Sequence, residues 1–165
     1  MEHLGAYLQE AVGLEYFGTL LSRWPPLLQR IGSNTQAVQS GSDLQQKGVL
    51  LRQELENDFS LAQQLLDMEH HIYRVGMGLF HDLESTSKSS ELSVFRRQLN
   101  MFLKGMLNGL SVKEVILADW RSSVDTISAN TLRIYTQCLL SPKEVHLGDV
   151  DRLLTLMPES KNNGL

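Results

Sequence analysis

The chain has 165 residues, of which 42% are hydrophobic and 21% are charged, and its formal net charge is -4. This composition excludes a disordered chain, and the length fits one ordinary domain. Fifteen basic residues against 19 acidic ones do not supply the basic surface that phosphate binding needs, so nucleic acid is not an expected partner.

Cysteine content and hydropathy indicate the compartment. Cys138 is the only cysteine, which excludes a disulfide within the chain and favours a reducing environment. The first residues lack the basic region of a signal peptide. No apolar run reaches the roughly 18 residues that cross a bilayer. We therefore expect a cytoplasmic protein that does not bind a membrane.

The first predicted helix covers about 2–23. Its apolar residues recur every three or four positions, which is the helical period. Pro25 and Pro26 are expected to end this helix, because proline removes a backbone donor and clashes with the preceding turn. A short turn after the prolines and a polar loop over 32–42 follow.

A longer helix is predicted over about 45–84. Ser42 and Gln45 match a capping box, in which each side chain bonds a free backbone amide of the other. A kink or break is allowed at 58–60, where residues that favour helix caps occur. Gly76 and Gly78, two residues apart in this helix, indicate a place where another helix approaches closely.

The second half starts with a polar loop over 85–90 and a helix over 91–108. Gly109 is expected to end this helix as a C-cap. The apolar residues of this helix alternate in spacing between three and four, which is typical of a helix face packed in a core. They are Leu92, Phe95, Leu99, Phe102 and Met106.

Two or more helices are predicted to follow. Ser111 and Glu114 form a second capping box, and a turn is expected over 121–125. A helix over 127–140 comes next, and Ser141–Glu144 carries the pattern of a further helix start. The residues expected to face inward on the 127–140 helix are Ile127, Ile134, Tyr135, Cys138 and Leu139.

These elements predict an all-α fold. We expect a helical bundle of five to seven helices, one or two of them long. The expected organisation is a single helical domain over 1–157 and a flexible C-terminal tail over 158–165.

Motifs for catalysis, metals and nucleotides do not occur in the sequence. A di-iron bundle needs Glu-x-x-His, and no glutamate has a histidine three residues later. Phosphate-binding glycine motifs and the nucleophile elbow are missing too. We therefore expect no enzyme, no cofactor and no metal. Glu15 and Glu69 lie in apolar stripes, and a functional carboxylate there is the alternative.

One segment resembles a known family. The run Gly109-Leu110-Ser111-Val112-Lys113-Glu114-Val115 is followed by Thr126-Ile127 and by Arg133-Ile134-Tyr135. This order resembles the helix-turn-helix of LuxR-type response regulators. The resemblance implies a transcriptional regulator that uses 109–140, with 127–135 as the recognition helix. It is the alternative function.

The leading expectation is a non-enzymatic interaction protein, such as a subunit, an adaptor or a chaperone-like module. Large apolar side chains around 99–107 cover more than one helix face. Such a helix is either central in a bundle or half of an interface. The partner is another protein or a second copy of the chain. The candidate partner-binding residues are Met101, Leu103, Leu107, Leu110 and Trp120.

Overall fold

A computed structural model describes residues 14–41, 45–86 and 90–140. Every regular element in these ranges is a helix, so the all-α prediction is confirmed. Four helices are described, and the count of five to seven is not confirmed, because predicted breaks lie inside longer helices. The helices are α1 (Leu14–Gln39), α2 (Gln45–Thr86), α3 (Ser90–Ser122) and α4 (Ala129–Leu140).

Helix α1 continues through Pro25 and Pro26, so the predicted stop and most of the predicted loop over 32–42 are wrong. A proline inside a helix costs about 3 kcal/mol. Burial of a large apolar side chain contributes about 1.5–3 kcal/mol, and α1 buries several of them on one face before and after the prolines. Both prolines are exposed. The buried residues on that face are Trp24, Leu27, Leu28, Ile31 and Thr35.

Helix α2 is a single element of 42 residues, without the break that was allowed at 58–60. Asp58 does not cap a second helix. Its carboxylate is largely buried and accepts from the guanidinium of Arg30 in α1 at 3.4 Å. The polar residue that indicated a break is therefore a contact between helices.

Helix α3 runs for 33 residues through Gly109 and Ser111, so the predicted C-cap and the second capping box are wrong. A glycine inside a helix costs only about 1 kcal/mol relative to alanine. Met106, Leu110 and Lys113 have the three and four spacing of one helix face, and all three are buried. Burial on both sides of the glycine stabilises a continuous helix.

The turn expected over 121–125 is confirmed from residue 123 onward, since α3 ends at Ser122 and no helix covers 123–128. Ser128 caps α4, because its hydroxyl accepts from the amide of Thr131 at 3.1 Å. Leu132 and Leu139 are the buried residues of α4. Ile134 is 47% exposed and Cys138 is exposed, so their predicted inward orientation is wrong. The cause is the helical period, which places both about 200–240° around the axis from Leu132.

The chain divides into two compact units, each made of separate stretches of sequence. Helices α1, α2 and α3 contribute to both, and α4 belongs to the second. Among the described residues, the first unit contains 14–20, 69–86 and 90–109, and the second contains 21–41, 45–68 and 110–140. The single helical domain over 1–157 stays a prediction.

Some predicted features lie outside the described residues. They are the beginning of the first helix, the cap at Ser42, the helix start at Ser141–Glu144 and the tail over 158–165.

Candidate protein-binding surface

Two ion pairs set the register of α2 against α3 in the second unit. Arg52 Nη2 lies 2.6 Å from Asp125 Oδ1, and Arg121 pairs with Glu56 one helical turn further along α2. Asp125 lies in the turn that follows α3, and Arg121 lies in the last turn of α3. A step of four forward on α2 therefore matches a step of four back along the chain, so α2 and α3 are antiparallel. The hydrogen bond from Arg52 holds the pKa of Asp125 below its usual value. Both pairs are exposed, and solvent screens them, so they specify alignment more than they add stability.

Trp120 joins three helices in the core of the second unit. Its side chain is fully buried, and its indole N–H donates to the hydroxyl of Thr35 in α1 at 3.1 Å. That hydroxyl in turn donates to the carbonyl of Ile31 at 2.7 Å. The indole also meets the ring of Phe59 in α2 edge to face, with centroids 6.2 Å apart. Trp120 is therefore a structural residue that is not accessible to a partner.

Lys113 is a buried cation in the same unit. It is 5% exposed, and its ammonium lies 5.3 Å from the ring centroid of Trp24. The face of an indole attracts a cation, and the attraction strengthens where water is excluded. This lysine belongs to the contact between α3 and α1.

The turn between α3 and α4 is held by α1. The side-chain amide of Gln39 donates one hydrogen to the carbonyl of Val124 at 2.9 Å and the other to the carbonyl of Ile127 at 2.7 Å. The hydroxyl of Tyr135 in α4 donates to Asp119 in α3 at 2.5 Å. In the segment that resembles a helix-turn-helix, the turn is thus tied to the rest of the second unit.

An open groove of about 470 Å³ lies between α2 and α3 in the second unit. Phe59 and Leu117 are only 4% and 7% exposed, and they form its apolar floor. The other side chains around it are small or polar. The groove is lined by Phe59, Gln63, Glu114, Leu117, Ala118, Arg121 and Ser122.

Four residues on the outer face of α3 form what we call the α3 seam: Ser111, Val115, Ala118 and Ser122. All four are exposed, none is charged, and their spacing of four, three and four is that of a packed helix face. Ala118 and Ser122 also line the groove. The α3 seam and the groove are therefore one continuous surface.

Among the described side chains of the second unit, Val115 is the most exposed large apolar one, at 69%. Valine is a poorer helix former than alanine, because its branched side chain is restricted by the preceding turn. At this position it also adds little to the core. Val112, 44% exposed, lies about 60° around the helix from it. Both valines therefore present apolar surface to solvent, Val115 within the α3 seam and Val112 beside it.

The five residues predicted to bind a partner do not form one surface. Leu103, Leu110 and Trp120 are at most 1% exposed and belong to the core. Met101, 61% exposed, and Leu107, 39% exposed, remain accessible, and both lie in the first unit. On the outer face, Met101 is flanked by the cations Arg97 and Lys104, four and three residues away.

The sequence pattern alone does not reveal the α3 seam, because Ser111 also matches the pattern of a helix cap. Once Gly109 and Ser111 are placed inside one helix, the repeat of small residues over 111–122 is visible in the sequence. Recognising this repeat depends on knowing that the helix begins well before Ser111.

Of the two carboxylates considered for chemistry, only Glu69 has a described side chain. Glu69 is buried in α2, at 3% exposure, and the side chain of Glu15 lies outside the described part of the chain. Over 14–41, 45–86 and 90–140, no three side chains of His, Cys, Asp or Glu are grouped as metal ligands would be.

None of the described helices combines the length and the apolar composition needed to cross a membrane. Comparison with protein families, curated proteins and solved structures finds no significant match to this chain.

Proposed function

We propose that this protein is a non-enzymatic interaction module that binds a helix of a partner protein in the groove between α2 and α3. The observation that supports this most is the α3 seam, an exposed and uncharged helix face with coiled-coil spacing. Beside it lies a groove with an apolar floor of Phe59 and Leu117. A groove of this kind is a common binding site for an amphipathic helix.

Small side chains make close packing possible. Helix axes in contact are about 8–10 Å apart, depending on the side chains between them. Alanine and serine on the α3 seam allow the shorter end of this range. Side chains of the partner would then reach the floor of the groove, where removal of apolar area from water contributes about 25 cal/mol per Å².

The test is site-specific photo-crosslinking. We would place a benzophenone amino acid at Val115 and, as the matched control, at Leu50, which is 59% exposed on α2 in the same unit. The proposal expects a protein adduct from position 115 that position 50 does not give. Identical adducts from both positions, or none from position 115, would contradict it.

The protein identified at position 115 would then be purified and its affinity measured by calorimetry. We expect Ala118→Glu to weaken binding at least about tenfold, because it buries a charge in the contact. Leu50→Glu should leave the affinity unchanged. Both sites are exposed, so the free energy of unfolding should change by no more than about 0.5 kcal/mol in either variant. Equal affinities for the two variants would reject the groove as the binding site.

A further inference from the structure

We infer that α3 carries a second binding surface, in the first unit, which takes a helix of a partner protein whose carboxylates are spaced seven residues apart. This surface is called the basic stripe below. It is separate from the groove of the second unit, and it stands whether or not that groove binds a partner. The basic stripe consists of Val94, Arg97, Met101, Lys104 and Asn108.

All five residues of the basic stripe are exposed on one face of α3. Their spacing is three, four, three and four, which keeps them within about 80° around the helix axis and matches the repeat of a coiled-coil face. Val94 is 43% exposed and Met101 is 61% exposed. The opposite face of the same stretch lies in the core, and its buried residues are Phe95, Leu99, Phe102 and Met106.

Apolar and cationic side chains alternate along the basic stripe. Arg97 and Lys104 are seven residues apart, or about 10.5 Å along the axis, and Met101 lies between them. No aspartate or glutamate occurs over 92–113. Within the part of the chain that the structure describes, neither of these two cations has an ion-pair partner. Both charges are therefore available to carboxylates of another molecule.

A partner helix with carboxylates every seven residues would face both cations at once. A guanidinium binds a carboxylate through two parallel hydrogen bonds, which adds specificity to the attraction. The aliphatic stems of Arg97 and Lys104 are neighbours of Met101 on the helix face and enlarge its apolar area. Methionine adapts its shape to a binding partner, so an apolar residue between the two carboxylates would cover this area. Asn108, a polar residue on the same repeat, would help to fix the register.

Other occupants fit the basic stripe less well. A second copy related by a two-fold axis would bring the cations of both chains together, and like charges oppose binding. A membrane surface favours a continuous apolar face with the cations on the polar face, whereas here the cations lie in line with the apolar residues. Nucleic acid binding draws on many phosphate contacts, and the basic stripe offers two cations.

The inference is tested with three synthetic helical peptides of about three heptads, and binding to the full chain is followed by fluorescence anisotropy. All three have a leucine in each heptad. The matched peptide has glutamates seven residues apart on the leucine face, the second has lysines there, and the third has its glutamates on the opposite face.

The matched peptide should bind most tightly. The formal charge of the chain is -4, so net charge alone would favour the lysine peptide. We expect the matched peptide to bind at least about tenfold more tightly than either of the others at about 50 mM salt. The advantage should shrink at about 500 mM, where screening is strong.

Substitutions in the protein locate the effect. Arg97→Glu and Lys104→Glu should each weaken binding of the matched peptide at least about tenfold. Met101→Ser should weaken it severalfold at both salt concentrations, because it removes apolar area. Arg133→Glu is the matched control, since Arg133 is an exposed cation of α4 in the second unit, and it should leave the affinity unchanged. Ala118→Glu, in the groove, should leave it unchanged too. Thermal melts establish that each variant is folded.

The outcomes separate the inference from the proposed function. Equal binding of the three peptides, no binding of the matched peptide, or a loss of binding in Arg133→Glu or Ala118→Glu overturns the basic stripe, whereas the crosslink from Val115 tests the groove independently. Binding to vesicles of phosphatidylcholine and phosphatidylserine that Lys104→Glu abolishes, with no peptide bound, would overturn it in favour of a membrane surface. Self-association that Met101→Ser abolishes, measured by light scattering, would overturn it in favour of a second copy.

Discussion

At the scale of single residues, Thr35 shows how a polar side chain becomes part of an apolar core. Its hydroxyl donates to the carbonyl of Ile31 and accepts from the indole of Trp120. All the hydrogen-bonding capacity of the indole is thereby used, since an indole has one donor and no acceptor. From the sequence, Thr35 was part of a polar loop, because nothing local indicates that Trp120 lies 85 residues away in the chain and next to it in space.

Thr35→Val tests this contact. The change keeps the shape and leaves the buried indole N–H without an acceptor, which should lower the free energy of unfolding by about 1–3 kcal/mol. Thr136→Val is the matched control, because Thr136 makes the same bond to the carbonyl four residues earlier but is not an acceptor for an indole. We expect it to cost under about 0.5 kcal/mol. Equal costs in urea denaturation would show that the indole bond contributes nothing.

The Tyr135 hydroxyl gives a prediction for pH. Its hydrogen bond to Asp119, with partial burial and the carboxylate charge adding to the effect, raises the pKa of Tyr135 above the ordinary value of 10.0. A pKa that is higher in the folded state means that the contact stabilises the fold below the unfolded pKa. That contribution is lost as the pH rises through the folded value.

Carbon-13 NMR of the tyrosine ring carbons can follow this titration residue by residue. We expect the Tyr135 midpoint to lie above the ordinary tyrosine value and to fall in Asp119→Asn, which removes the charge. Tyr135→Phe assigns the signal. An unchanged midpoint in Asp119→Asn would mean that the short contact between the two side chains does not form in solution.

At the scale of elements, Gly76 and Gly78 of α2 differ although the sequence pattern treats them alike. A Cβ at Gly76 would lie 2.6 Å from Cδ2 of Leu103, whereas one at Gly78 would meet nothing within 4 Å. Leu103 is 1% exposed, so its methyl groups have little room to move. The close helix approach predicted from Gly76–Gly78 is thus present at the first glycine only.

Gly76→Ala and Gly78→Ala form a matched pair. We expect Gly78→Ala to stabilise the protein by up to about 1 kcal/mol through helix propensity. Gly76→Ala gains the same propensity, but overpacking against Leu103 costs about 1–3 kcal/mol, so the net effect should be neutral or destabilising. Combining it with Leu103→Ala should remove the clash and show the coupling. Equal stabilisation by both alanines in chemical denaturation would contradict the close contact.

Helix ends were the least predictable feature of the elements. Pro25, Gly109 and Ser111 all follow rules for ending or starting a helix, and all lie inside one. Those rules describe preferences of about 1–3 kcal/mol. Burial of an apolar face on both sides of the residue is worth more, and it is a property of the packed helices.

At the scale of the whole molecule, the division into two compact units shows that the long helices take part in two separate cores. The first unit places Leu103 against Gly76, and the second is organised around Trp120. The groove and the α3 seam belong to the second unit alone. Positions 115 and 50 lie on different helices of the same unit. The crosslinking experiment therefore tests which surface of this unit binds the partner.

The sequence by itself determined the all-α class and the turn after α3. Helical periodicity can be recognised from one segment of sequence, without information on the helices that pack against it. The sequence also identified large apolar residues on α3, but it could not separate Leu103 and Trp120, which are buried, from Met101, which is exposed. Only the tertiary structure decided that, and it decided where α1 and α3 continue and which face of α3 is left uncovered. The physical reason is that burial depends on which helices meet, and those contacts join residues far apart in the chain.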